Sequence, residues 1–268
     1  MTQPSWAPAS IDLDRPSVSR VYDYYLGGFH NFAPDRELAE QVIAMEPLVP
    51  MGAKANRAFL QRAVGHLVEL GVRQFLDIGS GIPTVGNMHQ IAQHLAPDAR
   101  VVYIDIDPVA VVHSQAILYD DPNATAMIGD LLAPEDLLTA VAETGLLDLN
   151  QPTALLALAV LHFVDDDDAA HSALRTYREA LGPGSYLAVS HSTQELRPAV
   201  LTDGVMDIYQ RATAPFTLRT REQIRSLVSG YDLLDPGLVL VEEWRPGAVA
   251  DVENPERFPV WAGIGRAQ

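Results

Sequence analysis

The sequence predicts an α/β protein, a doubly wound and mostly parallel sheet of seven strands with helices on both faces, preceded by a helical N-terminal extension. Three observations carry that reading. Short β-branched and apolar runs alternate with helix-length segments from residue 74 onward, the order that crossover helices on a parallel sheet require. One run, residues 153–160, is almost continuously apolar, as a central strand buried on both faces must be. The first run closes on Gly79-Ser80-Gly81, a tight turn at the carboxyl end of a strand, where open α/β sheets hold ligands.

The 268 residues suffice for one large domain, and no linker-like tract divides them, so the expected organisation is an extension over residues 1–72 packed on a core over residues 73–268. Residues 1–14 carry prolines and acidic breaks with little periodicity and read as a tail. Val18, Val21, Tyr22, Tyr25 and Leu26 then fall at i, i+3, i+4, i+7 and i+8, one face of a helix ended by Gly27 and Gly28. After a loop over 29–33, Pro34 suits the first turn of a second helix over 35–45, which Pro47 and Pro50 end. A third helix over 53–70 presents Phe59, Leu60, Val64, Leu67 and Val68 and stops at Gly71.

The core begins with a strand over 74–78. Asn87, with Gln90 three residues on, suggests a capping box for a helix to about 95. A strand over 100–104 leads to Asp107 and Pro108, an N-cap and first-turn pair for a helix to about 118. A strand over 124–128 ends at Gly129 and Asp130, and Pro134 opens the next helix. Beyond the central strand, acidic residues 165–168 favour a helix start, which runs to about 181 before Gly182-Pro183-Gly184 returns the chain. A strand over 186–190, a helix over 199–211, a helix capped by Thr220 with Gln223, and strands over 238–242 and 260–264 complete the pattern.

Composition excludes several classes. No apolar run reaches the ~18 residues of a membrane span, and the amino terminus lacks the basic and apolar regions of a signal peptide, so a cytoplasmic protein is expected. Without cysteine there is no disulfide, thiolate metal site or cysteine nucleophile. The formal charge of −17, with Lys54 the sole lysine, repels phosphate backbones and anionic lipid, so neither nucleic acid nor membrane is an expected partner. The consecutive aspartates at 165–168 point in different directions on a helix, and no histidine pair has zinc spacing with a third ligand nearby, so no metal is expected.

In a parallel sheet the features at strand ends become neighbours: Asp77 to Gly81, Asp105, Gly129-Asp130 and His162. A dinucleotide fingerprint fits them poorly, because Thr84 stands at the position of its last glycine, and no Gly-Lys-Ser/Thr makes a P-loop. The motif Asp77-Ile78-Gly79-Ser80-Gly81, the strand closing on Asp105-Ile106-Asp107-Pro108, Ile128-Gly129-Asp130, Ala159-Val160-Leu161-His162 and Leu181-Gly182-Pro183-Gly184 together resemble the class I S-adenosylmethionine-dependent methyltransferases. Pro83 departs from that pattern, standing where many of those enzymes have a third glycine. Arg20 to Gly28, with Asn31-Phe32 and Asp35-Arg36, and later Phe216, Arg219-Thr220 and Trp244-Arg245-Pro246, are similar to an actinobacterial methyltransferase family long catalogued as a domain of unknown function.

That resemblance implies a Rossmann-like core, S-adenosyl-L-methionine as cofactor, and in-line transfer of a methyl group to an acceptor. Asp105 would accept from the ribose hydroxyls and Asp130 from the adenine amino group, while Asp77 would offer charge near the ammonium and sulfonium. The implied cofactor contacts are Tyr22, Gly27, Gly28, Asn31, Asp77, Gly79, Ser80, Gly81, Asp105, Ile106, Gly129, Asp130, Leu131 and Ala159. His162, His191 and Tyr25 are the candidates for acid–base chemistry, each with a plain reading as a buried, hydrogen-bonded side chain. The helix ending at Gly27 could fold over the cofactor as a lid. The acceptor is expected to be a small molecule, since no Asn/Asp-Pro-Pro-Tyr motif occupies residues 161–164, and the chain is expected to be a monomer or homodimer. The rival readings are a regulatory protein that binds the cofactor without turnover, and a nicotinamide oxidoreductase.

Overall fold

The computed structural model describes residues 12–83, 87–247 and 254–268. Its sheet comprises β1 (Gln74–Ile78), β2 (Arg100–Asp105), β3 (Ala124–Ile128), β4 (Thr153–Leu158), β5 (Tyr186–Ser192), β6 (Tyr231–Leu233), β7 (Val239–Leu240) and β8 (Val260–Ala267). The order is β3-β2-β1-β4-β5-β8-β6, with β7 paired to β8. Strands β1 to β5 are mutually parallel, and β8 runs antiparallel to each of its neighbours. The chain order reverses between β1 and β4, so the crevice that suits a ligand opens at their carboxyl ends.

Helices cover both faces, as the alternation within each strand demands. On one face Phe59, Leu60 and Leu67 of α3 (Val49–Glu69) and Ala92 of α4 (Met88–Leu95) pack on Phe75, Val101, Tyr103 and Leu156. On the other, Leu137 of α6 (Pro134–Glu143), Leu174 of α7 (Asp167–Ala180) and Ile224 of α9 (Arg221–Leu227) pack on Leu76, Ile78, Val102 and Leu155. Between α4 and α6 runs α5 (Pro108–Ile117), against β2 and β3.

A third apolar cluster lies off the sheet. It joins Val21 and Tyr25 of α1 (Val18–Tyr25), Leu38, Ala39 and Val42 of α2 (Ala33–Met45), Ala53 of α3, and Val205 and Tyr209 of α8 (Ala199–Tyr209). The N-terminal helices therefore share a core with a helix inserted after β5, a partnership no local pattern announces.

Several boundaries differ from the sequence expectation for identifiable reasons. Eight strands occur among the described residues rather than seven, because Tyr231–Leu233 is too short to show periodicity. The strand expected over 238–242 shrinks to Val239–Leu240, since a turn closed by Glu243 N–H on the Leu240 carbonyl (2.8 Å) takes over. Strand β4 stops at Leu158 because Ala159 adopts φ 54°, its N–H donating to Ser190 Oγ (2.9 Å). Strand β5 runs on to Ser192, which puts His191 inside the strand rather than beyond it. Pro50 sits in the first turn of α3, where its missing N–H costs nothing, instead of ending α2.

Caps fare unevenly. Asp107 accepts from Val109 N–H (2.8 Å), Thr220 and Gln223 form the expected capping box, and Asp166 accepts from Ala169 N–H (3.0 Å) to start α7. Asn87 makes no capping bond; the N–H of His89 is instead satisfied across the fold by Tyr103 Oη (2.9 Å). Thr84 and most of the expected tail lie outside the described residues.

Candidate active site

At the carboxyl ends of β1, β2 and β4 lies a cavity of about 420 Å³. Its floor is the glycine turn. The N–H groups of Gly79 and Ser80 both donate to the Ile104 carbonyl (2.8 and 3.0 Å), pinning the turn to β2. Gly79 and Gly81 adopt φ 69° and 62°, a left-handed geometry that a side chain would strain, and a Cβ on Gly79 would also fall 2.3 Å from Val160.

Three buried carboxylates line this cavity, Asp77, Asp105 and Asp107. Asp105 accepts from Gly81 N–H (2.7 Å), Asp107 N–H (2.8 Å) and Ser19 Oγ (3.0 Å), yet burial, with the Asp107 carboxylate beside it, pushes it up to about 6. Asp77 is 4% exposed. Burial raises it to about 7, with Arg57 opposing and Asp105 adding to the rise. Arg57, on α3, lines the same cavity with a buried Nε that has no hydrogen-bond partner and a guanidinium 5.8 Å from the Tyr22 ring. Sequence reasoning passed over it, although the helical period that sends Ala53 and Leu60 inward sends Arg57 the same way.

A second, smaller cavity of about 90 Å³ adjoins the first, and Val18, Tyr22, Asn56, Ala159 and Phe163 line both. A buried polar chain runs along that shared wall. Ala159 N–H donates to Ser190 Oγ (2.9 Å), whose hydroxyl donates to Asn56 Oδ1 (2.6 Å); Asn56 Nδ2 donates to Tyr22 Oη (3.0 Å), which donates to the Ala53 carbonyl (3.2 Å). Each group is satisfied by the next, so the wall is rigid without a charge.

The structure distributes the sequence candidates among the two cavities, a surface recess and the buried core. Tyr22, Asp77, Gly79, Ser80, Gly81, Asp105, Ile106, Gly129, Asp130, Leu131 and Ala159 line the larger cavity. Of these, Asp130 also accepts from Leu132 N–H (2.8 Å), and Gly129 leaves room for Ile104, whose Cγ2 a Cβ would approach to 2.8 Å. Gly27, Gly28 and Asn31 do not line it: they edge a separate surface recess with Tyr24 and Arg36. Gly28 makes space for Asp23, since a Cβ would stand 2.0 Å from Asp23 Oδ1, and Asp23 accepts from His30 N–H and Asn31 Nδ2 (both 2.9 Å). These three residues build the loop between α1 and α2.

The acid–base candidates likewise part company. Tyr25 lines the smaller cavity, bonded to Tyr209 Oη (3.1 Å), and burial first, then Tyr209, holds its hydroxyl well above its ordinary range, so it stays protonated. His162 also lines it; burial and the neighbouring His191 hold it well below the usual histidine range, so the ring is neutral. The Ser192 N–H faces His162 Nδ1 at 3.4 Å, which leaves the ring proton on Nε2. His191 is fully buried and outside both cavities. Its Nδ1–H donates to the Ser192 carbonyl (2.6 Å) and its Nε2 accepts from Arg219 Nη1 (3.0 Å), leaving no lone pair for a base. Arg219 also donates to the carbonyls of Leu161 (2.9 Å) and Val164 (2.6 Å), so it fixes the short turn that carries His162.

The N-terminal segment is tied to the cavity rim by charge. Arg20 Nε donates to Asp107 Oδ2 (3.1 Å), and its Nη1 lies 3.4 Å from Asp35, which accepts from the N–H groups of Ser17 and Phe32 (both 2.8 Å). Among the described residues no group of three or more histidines and carboxylates is placed to hold a metal ion, and no helix is long and apolar enough to cross a membrane.

A family model described as S-adenosyl methyltransferase matches residues 4–268. A crystal structure of a DUF574 family protein from Streptomyces avermitilis is 38% identical with a TM-score of 0.89, covering 96% of this chain and 100% of its own. A protein from Thermobifida fusca described as a putative methyltransferase is 36% identical with a TM-score of 0.90, covering 99% of this chain and 100% of its own. The N-methyltransferase NodS from Bradyrhizobium japonicum, in complex with S-adenosyl-L-homocysteine, shares the fold at 13% identity and a TM-score of 0.52, covering 87% and 97%. A search among curated proteins finds no match.

Proposed function

Because the chain belongs to the S-adenosyl methyltransferase family and is S-adenosylmethionine-dependent, we propose that its two joined cavities divide the work, the larger holding the cofactor and the smaller receiving a small-molecule acceptor. The observation that carries this is the shared wall of Val18, Tyr22, Asn56, Ala159 and Phe163, which sets the two cavities side by side. A space of about 90 Å³ framed by side chains from α1, α2 and α8 suits a small molecule, and the charge of −17 disfavours a phosphate-bearing polymer.

The donor set of the larger cavity fits the cofactor. Arg57, with its unpartnered Nε, would take the amino-acid carboxylate, and Asp77 beside it the ammonium. Asp105, its carboxylate fixed by Gly81 and Asp107, would hold the ribose hydroxyls; Ile106 and Leu131 would flank the adenine, and Asp130 its amino group. When bound, S-adenosylmethionine supplies a methyl group activated by its sulfonium charge. The protein's own part is positioning. Tyr22 and Asn56 hold the shared wall, Phe163 excludes water, and effective molarity from such placement can supply roughly 7 to 11 kcal/mol at best. His162, with its proton on Nε2, would donate to the acceptor rather than act as its base.

We further read α1 and α2, with α8, as a cap that closes both cavities, Arg20 and Ser19 latching it to the ends of β2. Titration calorimetry with S-adenosyl-L-homocysteine tests the assignment: one site of micromolar affinity is expected. An absence of binding to the folded protein would overturn it.

A further inference from the structure

Resting on that reading of the acceptor pocket, the geometry points to a further specificity: we propose that the smaller cavity selects an electrically neutral aromatic ring whose far end both donates and accepts a hydrogen bond, such as a carboxamide or hydroxyl, with Arg197 and Glu46 as the recognising pair.

The ring preference comes from the walls. Tyr209 and Phe216 stack with centroids 4.9 Å apart, Phe163 lies 5.7 Å from Phe216, and the neutral His162 ring stands edge-on to Phe216 at 4.9 Å. Such surfaces favour offset or edge-to-face contact with another ring over contact with a saturated one. A cavity of about 90 Å³ is smaller than the roughly 150 Å³ that accommodates benzene. It therefore takes the polar far end and one edge of the ring, and the rest of the acceptor extends past Phe163, which lines both cavities, into the larger one.

The polar preference comes from one ion pair. Arg197 Nη2 and Glu46 Oε1 meet at 2.9 Å, with side chains only 12% and 15% exposed. Arg197 Nε and Glu46 Oε2 are both buried and have no hydrogen-bond partner. Both residues line the cavity, and the pair carries one unpaired donor and one unpaired acceptor at zero net charge. A carboxylate would be drawn to Arg197 but repelled by Glu46, and an ammonium the reverse, whereas a neutral group that donates and accepts satisfies both orphans at once.

The test uses the full chain with and without saturating S-adenosyl-L-homocysteine, titrated by ligand-observed NMR with benzamide, benzoate, benzylamine and cyclohexanecarboxamide. Benzamide should bind at least tenfold tighter than benzoate or benzylamine, and tighter than cyclohexanecarboxamide. Glu46→Gln should turn the preference toward benzoate and Arg197→Gln toward benzylamine. If those variants do not fold, Val205→Phe, which fills the cavity, should abolish benzamide binding and spare that of S-adenosyl-L-homocysteine. Equal affinity for the three ring probes, a charged probe preferred by the wild type, or no ring binding at all would overturn the proposal. A protein that binds benzamide but not S-adenosyl-L-homocysteine would overturn the cofactor assignment instead, and one that binds only S-adenosyl-L-homocysteine would leave that assignment standing while this proposal falls.

Discussion

The two cavities share a wall but are built in opposite ways. The larger is assembled from strand ends, each followed within a few residues by its own chemistry: Asp77 with the glycine turn, Asp105 with its Asp107 cap, Gly129 with Asp130. The smaller draws on residues far apart in the chain, Tyr25, Glu46, His162, Arg197, Tyr209 and Phe216, which meet only because α8 returns to pack on α1 and α2. The first arrangement follows from the sheet; the second depends on α8 packing against α1 and α2. Changes at strand ends should therefore alter ligand affinity at little cost in stability, and changes at the cap should do the reverse.

The largest effect that would test this contrast is at Arg20. It is buried between Asp35 and Asp107, so Arg20→Ala leaves two carboxylates uncompensated and should cost about 3–5 kcal/mol of unfolding free energy in urea. Unchanged stability would mean that the latch is not what holds the cap. Next is Asp105→Asn, which removes the carboxylate proposed to accept from the ribose. Calorimetry should show affinity for S-adenosyl-L-homocysteine falling about 100-fold, near 2.8 kcal/mol, with 5′-methylthioadenosine weakened to a similar extent because it carries the same ribose. Arg57→Gln should be milder and more selective, costing about tenfold for S-adenosyl-L-homocysteine and nothing for 5′-methylthioadenosine, which lacks the amino-acid end. Equal losses for both ligands would move Arg57 away from the carboxylate.

The same contrast explains what could be read from the sequence. The sheet, the glycine turn and the aspartates beside it were legible because a strand's burial pattern and the residues after it are local. Tyr231–Leu233 was not, since three residues carry no period. Within the N-terminal segment the motif was visible but its work was not: Gly28 and Asn31 look like ligand contacts yet organise a loop around Asp23, and Arg57 gives no signal beyond its helical position. His191 reads as a strand-end base only while β5 is taken to stop at Ser190; two more residues of strand bury it against Arg219.

The smallest expected effect comes from Asp77, buried beside the glycine turn. Burial raises Asp77 to about 7, far above the ordinary carboxylate range, so the folded ligand-free protein holds a proton there that the unfolded chain releases near pH 4. Its contribution to stability is thus fully present below about pH 4 and is lost as pH rises through 7. Binding should run the other way. An ammonium placed beside Asp77 favours the charged form, so affinity for S-adenosyl-L-homocysteine should rise between pH 6 and 7, by up to about tenfold per unit, and level off above, with a proton released on binding. Calorimetry in buffers of different ionisation enthalpy measures that release directly. Asp77→Asn should flatten the profile and abolish the proton, whereas a profile that persists in the variant would assign the titration to Asp105, whose raised value of about 6 sets a lower midpoint. Either way the pH dependence belongs to the strand-end cavity, because the Glu46–Arg197 pair of the other is already charge-compensated.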